Sequence, residues 1–429
     1  MPTRTRTGDG QLQIAIVTQY YKPEDAKIPN GIAQELARRG HQVRVVTGYP
    51  NYPEGRLYAG FRQRLVHYEN DGGVRVRRVP LVISHSQNSI ARFANYASFA
   101  VSTLLAGRFV RNADVIYVYA TQMTAAFGPS VWTRTRGIPF VLHIQDLWPD
   151  SITGSSMVKG KHLKNSLNLI LKPWLSTIYR RSAAIIAIAP TMRGMLVDRG
   201  VDERKLHMVF NWAEEDSTPR GISASEEPPR QVNRLSVVYA GNLGELQDLE
   251  TVVRAAALAK DLDGFTLTLV GAGVASRRLV RLVAELGATN VLFRGRVLPS
   301  EMGEIYAESD FQIIPLQDLA IFRGTIPSKF QNSIANGIPV ITTVAGDVSD
   351  IVVEQGLGLV SAPGDVAALA ATFARAYGLS LDERSRMGEK SRAYYNAVMS
   401  KSSGVDKIER ILASAVHLSN RKKSNARSL

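Results

Sequence analysis

The sequence predicts an α/β protein built from two Rossmann-like domains facing across a cleft. Three observations carry that expectation. The chain has 429 residues, 45% of them hydrophobic, which is too long for one compact core and suits two. Apolar strand-like runs alternate with amphipathic helical stretches in both halves. Between Ala213 and Arg234 this alternation gives way to Glu, Asp, Ser, Pro and Arg, and then it restarts.

In the first half, Leu12 to Tyr20 reads as a buried parallel strand. A loop with Pro23, Pro29 and Gly31 follows, then an amphipathic helix through Leu36 to Arg39 that stops at Gly40-His41. Gln42 to Thr47 is the next strand, completing a βαβ unit. Val74 to Val79, Val115 to Tyr119, Phe140 to Ile144, Ala184 to Ile188 and Lys205 to Val209 continue the series. The second half opens with strand Leu235 to Ala240, helix Asp248 to Lys260, strand Thr266 to Val270, helix Arg277 to Leu286 and strand Val291 to Arg294. Phe311 to Pro315 and Pro339 to Thr342 follow. The expected domains are 1–212 and 235–399, joined by a linker at 213–234. A helix over about 400–418 should pack back on the first domain, leaving 419–429 as a disordered basic tail.

Composition removes several function classes. Cysteine is absent, so disulfides, thiolate zinc sites and cysteine nucleophiles are excluded. No His, Asp or Glu cluster has metal-ligand spacing, and Asp261-Leu262-Asp263 reads as a solvated turn at a helix end. Met1 to Gln13 lacks the apolar core of a secretory signal, and no apolar run reaches membrane-spanning length, so cytoplasmic residence is expected. The net charge of +14 favours an acidic partner such as a nucleotide diphosphate or anionic lipid. No nucleic-acid-binding module appears.

The strongest chemical signal is Ile326 to Ile341. It reads as a loop, a short helix opened by Pro327-Ser328, a stop at Gly337-Ile338-Pro339, and a buried strand. Lys329 falls in the first helical turn, beside N–H groups without intrahelical partners, a combination suited to a phosphate or diphosphate. Two glycine turns follow strands in the same half, Gly241-Asn242-Leu243-Gly244 and Gly271-Ala272-Gly273. Each is either a ligand-facing loop or an ordinary glycine turn. The second lacks the third glycine of a dinucleotide fingerprint. In the first half, His143 and Asp146 lie at the end of a strand, where a reacting group could emerge. Their plain alternatives are local packing for His143 and helix capping for Asp146 and Asp150.

Lys159, Lys161, His162, Lys164 and Lys172 alternate with Leu163, Leu167, Leu169, Ile170, Leu171, Trp174 and Leu175. This fits a helix lying on an anionic membrane, or a core-facing helix with a solvated basic back. Ile90 to Val110 carries the same ambiguity.

With these residues in view, the chain resembles the retaining family-4 glycosyltransferases of the GT-B fold, from about Ile14 to about Ala415. It is most similar to bacterial O-antigen, capsule and exopolysaccharide sugar transferases, including an N-acetylfucosaminyltransferase-like branch. The matching landmarks are Tyr21-Lys22-Pro23-Glu24, Arg39-Gly40-His41-Gln42-Val43, Thr47 to Gly55, Asp146 to Ser151, Gly241 to Gly244, Asn290 to Gly295, Pro327-Ser328-Lys329 and Ala335 to Val340.

The resemblance implies a hexosyl- or N-acetylhexosaminyltransferase that moves a sugar from a nucleotide-sugar, usually UDP-linked, to a glycan or lipid-linked acceptor with retention. Such enzymes use neither metal nor cofactor, the nucleotide-sugar being a substrate. Their usual place is the inner face of the membrane, where they are peripheral. By position, the donor would lie against Gly241, Asn242, Gly271, Gly273 and the Arg294 to Val297 turn. Lys329, with Ser328 and Arg323, would hold the diphosphate, and Asn332 a ribose hydroxyl. Asn30 and Gly31 would form an acceptor-side loop, and His143 and Asp146 would face the reacting carbon. The chain departs from the family pattern at Gly324 and Asn332, which stand where paired glutamates are usual. Asn242 and Asp248 replace an Arg and a Lys, and Gln145 replaces a His. These departures keep two other readings open, a nucleotide-sugar epimerase of related fold and a catalytically silent nucleotide- or glycan-binding scaffold.

Overall fold

A computed structural model describes residues 10–83, 89–149, 161–213, 234–298 and 301–425. Residues 214–233 of the expected linker at 213–234, Asp150 and Lys159 lie outside the described residues, as do the side chains of 161–168 and 170. The chain divides into two units, Met1–Phe210 with Gly404–Leu429, and Asn211–Ser403.

The first unit is built on eight strands: β1 (Gln13–Val17), β2 (Gln42–Gly48), β3 (His67–Asp71), β4 (Val74–Val79), β5 (Val115–Ala120), β6 (Phe140–Ile144), β7 (Ala184–Ala187) and β8 (Leu206–Met208). Their order is β3-β4-β2-β1-β5-β6-β7-β8. Every pairing is parallel except β3 with β4. The parallel strands read as unbroken apolar runs because helices cover both faces: all six residues of β5, Val-Ile-Tyr-Val-Tyr-Ala, are buried. β3 was not expected. It is a polar edge strand of alternating exposure, and its only sequence signal is the Asp71-Gly72-Gly73 turn behind it.

The second unit carries β9 (Leu235–Ala240), β10 (Phe265–Val270), β11 (Val291–Gly295), β12 (Phe311–Ile314), β13 (Val340–Thr342) and β14 (Gly358–Val360). They form an all-parallel sheet in the order β11-β10-β9-β12-β13-β14. In both sheets the winding reverses beside the first strand, between β1 and β5 and between β9 and β12. Open α/β sheets bind ligands beyond the carboxyl ends of the strands at such a reversal.

Two expectations need correction. Asn30 and Gly31 are not in a loop, because the helix Lys27–Arg38 starts before them. Pro29 is tolerated in its first turn, where an N–H has no intrahelical partner to lose. The basic tail is not disordered as far as it is described: the helix Lys401–Asn425 runs through most of it. That helix buries Val405, Ile408 and Leu412 within the first unit. There Arg39 Nη1 lies 2.6 Å from Asp406 and 2.7 Å from Glu409, and His41 Nε2 lies 2.8 Å from Glu409.

Candidate functional site

The second unit gathers its chemistry beyond the carboxyl end of β9. The helix Ser328–Ala335 starts there with Pro327 as its N-cap and no side chain capping it. Lys329, in its first turn, reaches across to the Gly241 turn. A Cβ on Gly241 would collide with Lys329 Cε and stand 2.9 Å from its Nζ, so only glycine leaves room for this lysine. Gly241 also has φ +147, in the range that disfavours side chains. Lys329 Nζ donates to the Tyr239 hydroxyl at 2.8 Å and lies 4.7 Å from the centre of the Tyr239 ring. Tyr239 itself is fully buried and donates to the Asn242 carbonyl at 2.6 Å. Burial pushes the lysine down to about 8 and the tyrosine hydroxyl well up, so the latter stays protonated and neutral.

The two glycine turns interlock. A Cβ on Gly271 would strike the Gly241 carbonyl, and one on Gly273 would strike the Leu243 carbonyl and come within 2.8 Å of Asn242 Oδ1. Leu243 N–H donates to Ala272 O at 3.1 Å, and Gly271 N–H to Gly295 O at 2.6 Å. Gly271 and Gly273 are thus required by turn-to-turn contact, which fixes the backbone beneath Lys329. Asn242 is exposed beside it, and Asn332 is half-buried one turn along the helix from Lys329.

Other expected donor residues are occupied elsewhere. Arg294 is exposed on the edge strand β11 and pairs with Glu308 at 3.5 Å. Val297 packs with Val238, Val270 and Ile305 in a small apolar cluster. Arg323 points its guanidinium to Asp318 at 3.3 Å, while its carbonyl accepts from Asp347 N–H at 2.9 Å and presses on Gly346. Asp248, in place of a lysine, takes a left-handed φ of 47 and accepts from Thr251 Oγ1 at 2.9 Å.

In the first unit, His143 does not face a binding surface. It is wholly buried on β6, its ring edge-on to Tyr117 and Tyr119, with Nδ1 bonded to the Tyr117 hydroxyl. Burial pushes the imidazole down to about 3 against a smaller opposing pull from the Val209 backbone, so near neutrality it carries no exchangeable charge. Its place in a fully buried parallel strand is the reason: β6 is covered on both faces up to Ile144. Asp146 follows the strand and is exposed. Desolvation by the surrounding protein raises its carboxyl above the ordinary value. Asn30 is a framework residue, its Oδ1 accepting from Lys22 N–H at 3.1 Å.

Sequence reading missed two groups here. Glu24, 2% exposed, accepts three backbone N–H groups: Asn51 at 2.8 Å, Tyr52 at 2.9 Å and Tyr21 at 3.3 Å. Its carboxylate ties the loop after β1 to the loop after β2. At the β1/β5 reversal, the buried amides of Gln19, Asn95 and Gln122 bond to one another, Gln19 Nε2 reaching Asn95 Oδ1 at 2.6 Å. No spacing in the sequence links these three. Tyr239 had a faint signal, a phenol hydroxyl two residues before the glycine turn in a mostly apolar strand.

Comparison with known proteins agrees with this architecture. Residues 27–212 match the family described as glycosyl transferase 4-like domain, and residues 234–378 match glycosyl transferases group 1. A curated relative, the putative colanic acid biosynthesis glycosyl transferase WcaI of Escherichia coli, is 27% identical over 355 residues, covering 78% of this chain and 84% of that protein. Among solved structures, sucrose-phosphate synthase of Thermosynechococcus elongatus aligns with a TM-score of 0.67 at 16% identity, covering 94% of this chain and 99% of its own. HepE of Anabaena, solved with UDP and glucose, aligns with a TM-score of 0.59 at 15% identity, covering 94% and 100%. The chain has the GT-B fold and carries a glycosyl transferase 4-like domain followed by a glycosyl transferases group 1 domain.

Proposed function

We propose that this chain is a retaining glycosyltransferase that moves a sugar from a UDP-linked donor to a lipid-linked or cell-surface glycan acceptor. The observation that carries the reading is the Lys329 ammonium over the Gly241 turn, at the sheet reversal of the group 1 domain. The departing diphosphate gains negative charge as the glycosidic bond breaks. A fixed cation and the first-turn N–H groups of a helix stabilise that charge without rearranging. His143 is buried and neutral, so the acceptor hydroxyl would lose its proton to the departing phosphate oxygen in a front-face displacement. In this reading Asp146, an exposed carboxylate, orients that hydroxyl. The same reading has the transfer run without a metal ion. Among the described residues, no group of three His, Asp or Glu side chains is arranged to hold one.

The reading includes peripheral attachment to the inner face of an anionic membrane. Among the described residues no helix is long and apolar enough to span one. The support is a stripe on the helix Ser89–Thr103 and the turn after it, where Phe93, Val101, Leu104 and Leu105 are exposed between Arg92 and Arg108. The transferred sugar is tested by thermal shift with UDP-, GDP- and ADP-sugars, followed by product analysis with lipid-linked acceptors in EDTA. Stabilisation by UDP-sugars and a product of retained configuration are expected. Binding without transfer or hydrolysis would make the chain a scaffold, and interconversion of free UDP-sugars would make it an epimerase.

A further inference from the structure

We propose that Tyr239 is the positioning residue for Lys329, holding its ammonium charged and uncompensated above the Gly241 turn for the donor diphosphate. The inference rests on reading that turn as the donor site. It begins from a contrast among the cations of this unit. Arg294 is neutralised by Glu308, Arg323 by Asp318, and Arg278 by Glu245 and Glu250. Lys329 is held instead by a phenol hydroxyl and the face of its ring. Among the described residues no carboxylate pairs with it, and burial is what depresses its basicity.

A carboxylate here would keep the lysine protonated but would also compete with the diphosphate for it. A neutral hydroxyl does the first without the second: its lone pair accepts an N–H bond, and the ring face attracts the cation. The hydroxyl proton is already committed to the Asn242 carbonyl, which turns the lone pairs towards Nζ. The phenol lies inside the core cluster of the unit, so it has one place to stand. Tyr239 therefore sets both the direction of Lys329 and the fraction of it that is charged.

The test uses the full chain with lysines labelled at Cε, titrated by NMR, Lys329→Arg identifying the resonance. In the wild type the Lys329 midpoint should fall near 8, and its Cε protons should carry a ring-current shift from Tyr239. Tyr239→Phe should lower the midpoint by about one unit, the size expected for losing one hydrogen bond to a charged group. The same variant should weaken UDP binding roughly fivefold at pH 8 and move the alkaline fall in UDP affinity down by about one pH unit. In a Lys329→Arg background, whose guanidinium stays charged, Tyr239→Phe should move no alkaline limb. An unchanged midpoint in Tyr239→Phe, or no ring-current shift in the wild type, overturns the proposal. An equal loss of UDP affinity in the Lys329→Arg background also overturns it, since Tyr239 would then act only through the Asn242 carbonyl. The midpoint is read without nucleotide. A chain showing the Tyr239-dependent midpoint but binding no nucleoside diphosphate would sink the donor reading while leaving the coupling of the two side chains intact.

Discussion

The two sheets reverse their winding in the same way and finish the reversal with opposite chemistry. Beyond β9, glycine turns stripped of side chains lie under a half-buried cation. Beyond β1, the space is filled by neutral amides, Gln19, Asn95 and Gln122, and a buried carboxylate is spent on backbone N–H groups rather than on a ligand. A shared topology supplies the location of a site, while the local residues decide whether it presents charge. At its reversal the first unit bonds its buried amides to one another; the second holds the Lys329 ammonium there without a carboxylate partner among the described residues.

This contrast can be broken at its strongest points first. Gly271→Ala should be the most damaging single change, because its Cβ meets backbone that cannot move aside. About 3 kcal/mol of stability should be lost, with the Lys329 site, as read by thermal melting and UDP titration. Glu24→Ala should destabilise the chain by about 2 kcal/mol by stranding three N–H groups, yet leave UDP affinity unaltered. A parallel fall in UDP affinity would erase the distinction between the two regions. Lys329→Ala should weaken UDP binding by about 2 kcal/mol in calorimetry with little change in melting temperature; undiminished affinity would remove the phosphate assignment.

The next test concerns pH. His143 is depressed to about 3 in the folded chain, so between its ordinary value of about 6.5 and 3 the unfolded chain binds the extra proton. Stability should therefore decline by about 1.4 kcal/mol for each pH unit lost in that window. His143→Leu should flatten that slope in acid melts and leave no mark on the pH dependence of transfer between pH 6.5 and 8. The smallest effect belongs to Arg294→Ala, an exposed pair with Glu308, which should shift stability by less than about 1 kcal/mol.

The sheets were legible because parallel strands buried on both faces leave apolar runs, such as Val115 to Ala120 and Val237 to Ala240. β3 was not, since a polar edge strand carries no such run. Lys329 could be found because it combines a helix start with a cation inside one short segment. Its partner could not, because Tyr239 lies 90 residues away and the contact exists only once β9 and the helix meet. The burial of His143 was similarly hidden. Alternation says that its side chain leaves one face of β6, but not that this face is covered. Asn30 failed for a different reason: Pro29 suggested a loop, whereas a proline in the first helical turn breaks nothing.

The return of the Lys401–Asn425 helix to the first unit has a consequence for synthesis on the ribosome. The second unit is one continuous segment, complete once Ser403 has emerged, whereas the first also needs Gly404–Leu429. Until then Ile408, Leu412 and Ala415 are missing from its core, His41 lacks Glu409, and Arg39 keeps only Glu35 of its carboxylate partners. The domain begun first is thus finished last. A gene cut after Phe210 would yield an uncapped hydrophobic face, while one spanning Asn211 to Ser403 would encode a self-contained fold.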